Sequence, residues 1–206
     1  MHERQRLAMV ELWPLFGITA TGALDPAVLF GRAAPCQLEI GFGHGGNLLA
    51  MALTQPDHNF LGVEVYQPGV ANLLLELQEK GIGNVRLDHR NAMEVLDLLP
   101  ERSLAGVHLY FPDPWPKKKH HKRRLVQAPF VEKLHRVLAP GGRFHAATDL
   151  EDYAHHILRA MATEGFRNLS SAGDYFDGPV ARPLTRFEQR GLRKGRTIHE
   201  LVFERV

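Results

Sequence analysis

A few carboxylates, a loop of glycines and a block of cations are the groups in this chain whose types and spacing could do chemistry. Phe111-Pro112-Asp113-Pro114-Trp115-Pro116 sets one acid and one indole among three prolines. Each proline fixes its own φ and pushes its predecessor out of the α region, so Asp113 sits on a stiff loop. The next eight residues, Lys117-Lys118-Lys119-His120-His121-Lys122-Arg123-Arg124, are all basic or can become so. Charges that dense cannot pair locally and are too hydrated to bury. The run lies mid-chain, so it is not a tail, and a polyphosphate backbone is the partner that suits it. A rigid acid and indole beside such a grip fit a site that holds an anionic polymer and presents one planar group for reaction.

Gly41-Phe42-Gly43-His44-Gly45-Gly46 follows a run that reads as a strand and opens a helix. Glycines let the backbone approach a ligand, and a helix N-terminus favours negative charge. Glu64, at the end of the next strand, can accept hydrogen bonds from both hydroxyls of a ribose. Loop and acid together indicate a nucleoside cofactor. The spacing of Gly41, Gly43 and Gly46 also matches the dinucleotide fingerprint, so the loop does not choose between a nicotinamide dinucleotide and S-adenosylmethionine. Glu39 bears on that choice. It stands inside an apolar strand, where a carboxylate is costly unless it meets a cation or several donors. An amino-acid ammonium would satisfy it and a pyrophosphate would be repelled, although a partly solvated strand-end acid is an equal reading of this residue alone.

Other groups have plainer accounts beside the chemical one. Asp113 could be a turn aspartate before proline. Thr148 to Glu151 and Thr185 to Glu188 both fit the Thr-x-x-Glu capping box, and for the second, capping stands first. Asp149 gains a functional case from its place at a strand end. The twelve histidines form no metal pattern: His120-His121 and His155-His156 are adjacent and point apart, and there is no His-Glu-x-x-His and no cysteine pair. No metal is expected, and no Gly-x-Ser-x-Gly elbow suggests a serine hydrolase.

The elements that must carry these groups alternate along the chain. Helices are predicted over 5–16, 47–53, 70–80, 92–99, 125–138 and 152–163. Strands are predicted over 37–41, 60–65, 84–88, 104–111 and 143–148, with two more in the tail at 166–169 and 198–204. The 206 residues suit one domain spanning 1–206. Alternation over this length argues for an open, mostly parallel α/β sheet with helices on both faces, the C-terminal strands forming an antiparallel edge. Ligands in such sheets bind beyond the carboxyl ends of the strands, and Glu39 to Gly46, Glu64, Asn91, Asp113 and Asp149 all fall there. The formal charge is only +2, so the basic run is a local asymmetry. A lone cysteine, Cys36, excludes an internal disulfide and fits a reducing, cytoplasmic setting. No apolar run approaches the ~20 residues that span a bilayer, so no membrane is expected. Met1 to Arg6 is too polar for a signal peptide.

Taken together, Glu39-Ile-Gly-Phe-Gly-His-Gly, Gly62-Val-Glu-Val, Phe111-Pro-Asp-Pro-Trp with Lys117 and His121-Lys-Arg-Arg124, Ala147-Thr-Asp149 and Thr185-Arg-Phe-Glu188-Gln-Arg-Gly191 closely resemble the bacterial tRNA (guanine-N7)-methyltransferase family. The resemblance runs from about Arg4 to the end. It implies a Rossmann-like class I methyltransferase with a seven-stranded sheet, which moves a methyl group from S-adenosylmethionine to N7 of a guanine in the tRNA variable loop. It implies cofactor contacts at Glu39, Gly41, Gly43, Glu64, Asn91 and Asp113, with Asp113 catalytic. Contacts to tRNA are implied at Lys117, Lys119, His120, His121, Lys122, Arg123, Arg124, Asp149, Thr185, Arg186, Phe187 and Glu188. Family members often carry an aspartate where this chain has Asn91, and commonly a longer basic extension before the first helix.

Overall fold

A computed structural model of the chain describes residues 1–172, 174–180 and 182–206, apart from the side chains at 186, 187 and 190. Seven strands among them form one sheet: β1 (Cys36–Ile40), β2 (Asn59–Val63), β3 (Val85–Asp88), β4 (Leu104–Tyr110), β5 (Leu138–Thr148), β6 (Phe166–Asn168) and β7 (His199–Arg205). Their order is β3-β2-β1-β4-β5-β7-β6. β1 to β5 pair in parallel, and β7 runs antiparallel to both β5 and β6. The tail strands thus pair antiparallel as expected, but β7 alone is reversed, and it lies inside the sheet with β6 at the edge.

Helices cover both faces. α4 (Gly46–Thr54) and α5 (Gln67–Glu79) lie on one side, where Leu48, Met51, Leu73 and Leu77 pack on Phe60, Val85 and Leu87. α6 (Ala92–Leu98), α7 (Ala128–Val137) and α8 (Glu151–Met161) cover the other, where Leu96, Phe130, Leu134 and Ile157 pack on Leu38, Leu61, Val107 and Phe144. Phe60 and Leu61 therefore serve opposite faces, as the two-residue period of a strand requires. Burying one such side chain is worth about 2 kcal/mol, so a one-residue slip of β2 is heavily penalised.

Some boundaries differ from expectation. The predicted 5–16 helix divides into α1 (Glu3–Glu11) and α2 (Trp13–Phe16), with Pro14 in the first turn of α2, where its missing N–H costs nothing. A further helix, α3 (Pro26–Phe30), was not anticipated. Its signals are nevertheless regular: Asp25 accepts from the Ala27 amide at 2.8 Å, Pro26 opens the helix, and Gly31 closes it at φ 64°. α7 begins at Ala128, and β5 starts already at Leu138, absorbing Pro140-Gly141-Gly142 beside a register shift opposite Leu104 and Gly106. The last helix is α9 (Arg186–Arg193).

Candidate active site

The sheet order reverses between β1 and β4, which leaves a crevice at their carboxyl ends. The glycine loop enters it from β1. Gly43 has φ 59°, and its amide donates to Glu64 Oε2 at 2.7 Å. Glu64 Oε1 accepts from the Tyr66 amide at 2.8 Å. One carboxylate thereby ties the loop after β1 to the turn after β2. The start of α5 presses on the same loop: a Cβ on Gly69 would stand 1.9 Å from the Gly43 carbonyl oxygen. Asn72 on α5 lies 3.0 Å from His44 Nδ1, and the buried Gln5 of α1 donates to Asn72 at 3.1 Å.

Glu39 lies within β1 beneath this loop and is 3% exposed. Asn47 donates to its Oε1 at 3.5 Å, while its Oε2 and Asn47 Oδ1 have no partner. Burial, aided by the charge of Glu64, pushes the Glu39 carboxyl up to about 8 against the pull of Asn47 and Arg182. Two buried acceptors without donors mark a place for a cationic or multiply donating group. An ammonium with three N–H donors fits them, and a phosphate does not. S-adenosylmethionine fits this pair of acceptors at its amino-acid end; a dinucleotide does not.

β4 delivers Asp113. Phe111 leaves the strand at φ 52° and Trp115 sits at φ 43°, left-handed values that cost bulky residues energy. Asp113 between them is exposed. Arg124, expected in the phosphate grip, is instead a buried brace for this loop. It is 2% exposed, its Nε donates to the Pro114 carbonyl at 3.0 Å, its Nη2 meets Asp152 at 2.5 Å, and its guanidinium lies 4.7 Å from the Tyr153 ring centre. Deleting a fully buried side chain leaves a cavity and broken bonds. Arg124→Ala should therefore cost about 2–4 kcal/mol in urea unfolding, whereas Arg123→Ala, which loses one exposed contact with the Trp115 ring, should cost under about 1 kcal/mol. Equal small effects would show that Arg124 is not a brace.

The rest of the basic run winds into a 3-10 turn over Lys118–Arg123. Lys117, Lys118, Lys119, Lys122 and Arg123 stay exposed. Trp115 is held by this turn, with Arg123 4.9 Å over its ring and His120 edge-on at 5.9 Å. His121 is half-buried; its carbonyl accepts from Gln127, and its ring faces Asp152 at 3.6 Å.

The remaining expected residues occupy the same rim with structural partners. Asn91 caps α6, its Oδ1 accepting from the Met93 amide at 2.8 Å. That bond orients the amide oxygen toward the first turn of α6. Asp149, at the end of β5, pairs with Arg196 at 2.6 Å. Thr148 does not form the expected capping box; its Oγ1 accepts from Leu150 N at 3.2 Å, and α8 starts without a side-chain cap. Thr185 and Glu188 do form theirs, at 3.0 and 3.3 Å, at the start of α9. The side chains of Arg186 and Phe187 lie outside the described residues.

Sequence reasoning missed a polar chain on the sheet face that carries Glu39. His108 Nε2 lies 3.1 Å from Gln37 Oε1, the Tyr110 hydroxyl bridges His108 Nδ1 (2.9 Å) and His145 Nδ1 (3.0 Å), and His145 Nε2 meets Glu200 at 2.7 Å. Burial, with His145 adding, pushes His108 down to about 3. Burial opposes ionisation of Glu200, yet His145 and Arg182 hold its carboxyl below the usual range. The signal was the alternation in Val107-His108-Leu109-Tyr110 and Phe144-His145-Ala146, with apolar residues on one face and hydrogen-bonding rings on the other.

A seven-stranded sheet with one reversed strand, a glycine loop at the switch point and a buried acid beneath it define a class I methyltransferase. Solved structures share that architecture. The 16S rRNA methyltransferase KamB superposes with a TM-score of 0.61 at 17% identity over 93% of this chain and 98% of that one. The aminoglycoside resistance methyltransferase NpmB1 does so with a TM-score of 0.60 at 14% identity over 93% and 98%. The family described as "Putative methyltransferase" matches residues 33–201. At higher similarity stand proteins named tRNA (guanine-N(7)-)-methyltransferase: that of Hydrogenovibrio crunogenus is 50% identical over 100% of this chain and 87% of its own length, and that of Klebsiella pneumoniae 50% identical over 98% and 86%. This chain belongs to the tRNA (guanine-N(7)-)-methyltransferase family.

Proposed function

We propose that the protein methylates N7 of a guanine in the variable loop of tRNA, using S-adenosylmethionine. The observation that carries this reading is the rim itself. A buried, half-partnered acid lies on β1, an exposed acid follows the neighbouring strand β4, and five exposed cations come within the next ten residues of the chain. The named relatives supply the target atom. When bound, the cofactor supplies a methyl group from a sulfonium. Guanine N7 offers a free lone pair and no proton, so the protein needs no strong base and acts mainly by positioning. Glu39 and Asn47 would hold the cofactor's ammonium, and Glu64 its ribose. Asp113 would accept from the N–H edge of the guanine and stabilise positive charge arriving on the purine. Extracting the base from its tertiary contacts costs a few kcal/mol, which phosphate contacts from Lys117 to Arg123 offset.

The direct test supplies labelled S-adenosylmethionine and unmodified tRNA, then cleaves the RNA chemically at N7-methylguanine. Label at one variable-loop guanine is expected; unlabelled tRNA from folded protein would refute the assignment. The basic turn has its own test. Replacing Lys119, Lys122 and Arg123 with alanine should weaken tRNA binding and reduce the slope of log affinity against log salt by about one for each phosphate no longer neutralised. A slope equal to that of the unaltered protein would show a solvated surface with no part in binding.

A further inference from the structure

Arg182 has so far entered only through the pull of its charge on Glu39 and Glu200. Its side chain is only 3% exposed, though it lies in the segment between β6 and α9. Nη1 meets Glu188 Oε2 at 2.5 Å, and Nη2 pairs with Glu200 Oε1. Its guanidinium lies 4.9 Å over the Tyr110 ring and 5.8 Å over the Phe111 ring. Its Nε is buried without a partner.

One cation therefore joins the start of α9 and β7 to the exit of β4, some seventy residues earlier in the chain. Glu188 is the reciprocal half of the Thr185 cap, so holding Glu188 holds the start of α9. Glu200 lies on β7 and reaches His145 through its other oxygen. Tyr110 and Phe111 are the last turn of chain before Pro112 and Asp113. A buried ion pair with one donor left unsatisfied adds little net stability, since apolar packing of equal volume often does as well. What such a fork does supply is geometry: a planar group with fixed donors and a flat face for stacking sets both distance and angle.

We propose that Arg182 is a positioning residue that locks the Thr185–Glu188 cap onto the exit of β4, so that the C-terminal rim and Asp113 move as one unit. The proposal rests on the methyltransferase reading for its kinetic consequence, but the lock itself is independent of any activity. Arg182→Met keeps the aliphatic stem and removes the fork. Arg182→Lys keeps the charge alone.

Two measurements test this on the full chain. Hydrogen–deuterium exchange over residues 182–193 should quicken about tenfold in Arg182→Met while β1 to β5 stay protected. Unchanged exchange there, or loosening spread evenly over the sheet, would overturn the lock. Single-turnover methyl transfer, with tRNA and cofactor both saturating, should fall about tenfold in Arg182→Met and less in Arg182→Lys. Adding Glu188→Gln to Arg182→Met should cost little more, because both substitutions break the same ion pair. A normal single-turnover rate, or fully additive losses, would overturn the positioning role. If the unaltered protein failed to label tRNA, the functional reading would fall while the exchange result still judged the lock.

Discussion

Asp113→Ala should lower methyl transfer to tRNA by about two to three orders of magnitude while leaving cofactor affinity within a few fold. The size follows from what a fixed carboxylate does at a site where positive charge arrives: removing one such preorganised group typically costs about 10²–10³ in rate. The loop around Asp113 is built to spare it any movement. Phe111 and Trp115 are held at left-handed φ values, Pro112 and Pro114 stiffen the chain between them, and Arg124 pins the Pro114 carbonyl from below. Asp113→Asn separates charge from shape, since an amide oxygen still accepts a hydrogen bond. It should recover part of the orientation and little of the charge stabilisation, and so fall between alanine and the native acid. Pre-steady-state methyl transfer with both substrates saturating reads the chemical step directly. A rate within threefold of normal for Asp113→Ala would remove this residue from the reaction. An equal loss of cofactor affinity would place it in binding instead.

How far the sequence spoke depended on the range of the interaction concerned. Strands and helices with clean periodicity were legible because the period itself is local: Phe60 and Leu61 face opposite ways wherever β2 lies. The positions of the glycine loop, Glu39, Glu64 and Asp113 at the strand ends were legible because they follow from the local alternation of strands and loops. Arg124 was misread because its company in the chain is basic, while its partners, Asp152 and Tyr153, lie a helix away. A run of cations looks uniform until packing selects one member to bury. Arg182 and the rings of His108, Tyr110 and His145 went unnoticed for the same reason, since their meaning comes from Glu200 and Gln37, on other strands. The inverted strand β7 was only half visible: two tail strands could be expected, but which of them is reversed depends on where each docks.

Glu39 should govern the second large effect, a pH dependence in cofactor binding that an ordinary surface carboxylate would not produce. Without cofactor, its carboxyl is pushed up to about 8, chiefly by burial. Near pH 6 it is therefore almost wholly protonated and cannot pair with an ammonium. Raising the pH ionises it, so affinity should strengthen toward pH 8. The α-amino group of the ligand titrates near 8 as well, so above that pH the cation is lost and affinity should fall again. The expected profile is a maximum close to pH 8, with binding weaker by about tenfold or more at pH 6. Calorimetry should also show proton release on binding near neutral pH, because the pair forms only when Glu39 gives up its proton. Glu64 and Arg182 act on Glu39 in opposite directions, and Asn47 supports its ionised form, so Asn47→Ala should move the acid limb upward. Glu39→Gln keeps the shape and removes the charge. It should weaken binding by about 30- to 100-fold at pH 8, corresponding to ~2–3 kcal/mol for a charged hydrogen bond, and it should abolish the acid limb. An affinity that is flat from pH 6 to 8 in the native protein would mean that Glu39 is already ionised before the ligand arrives, and that the ammonium is recognised elsewhere.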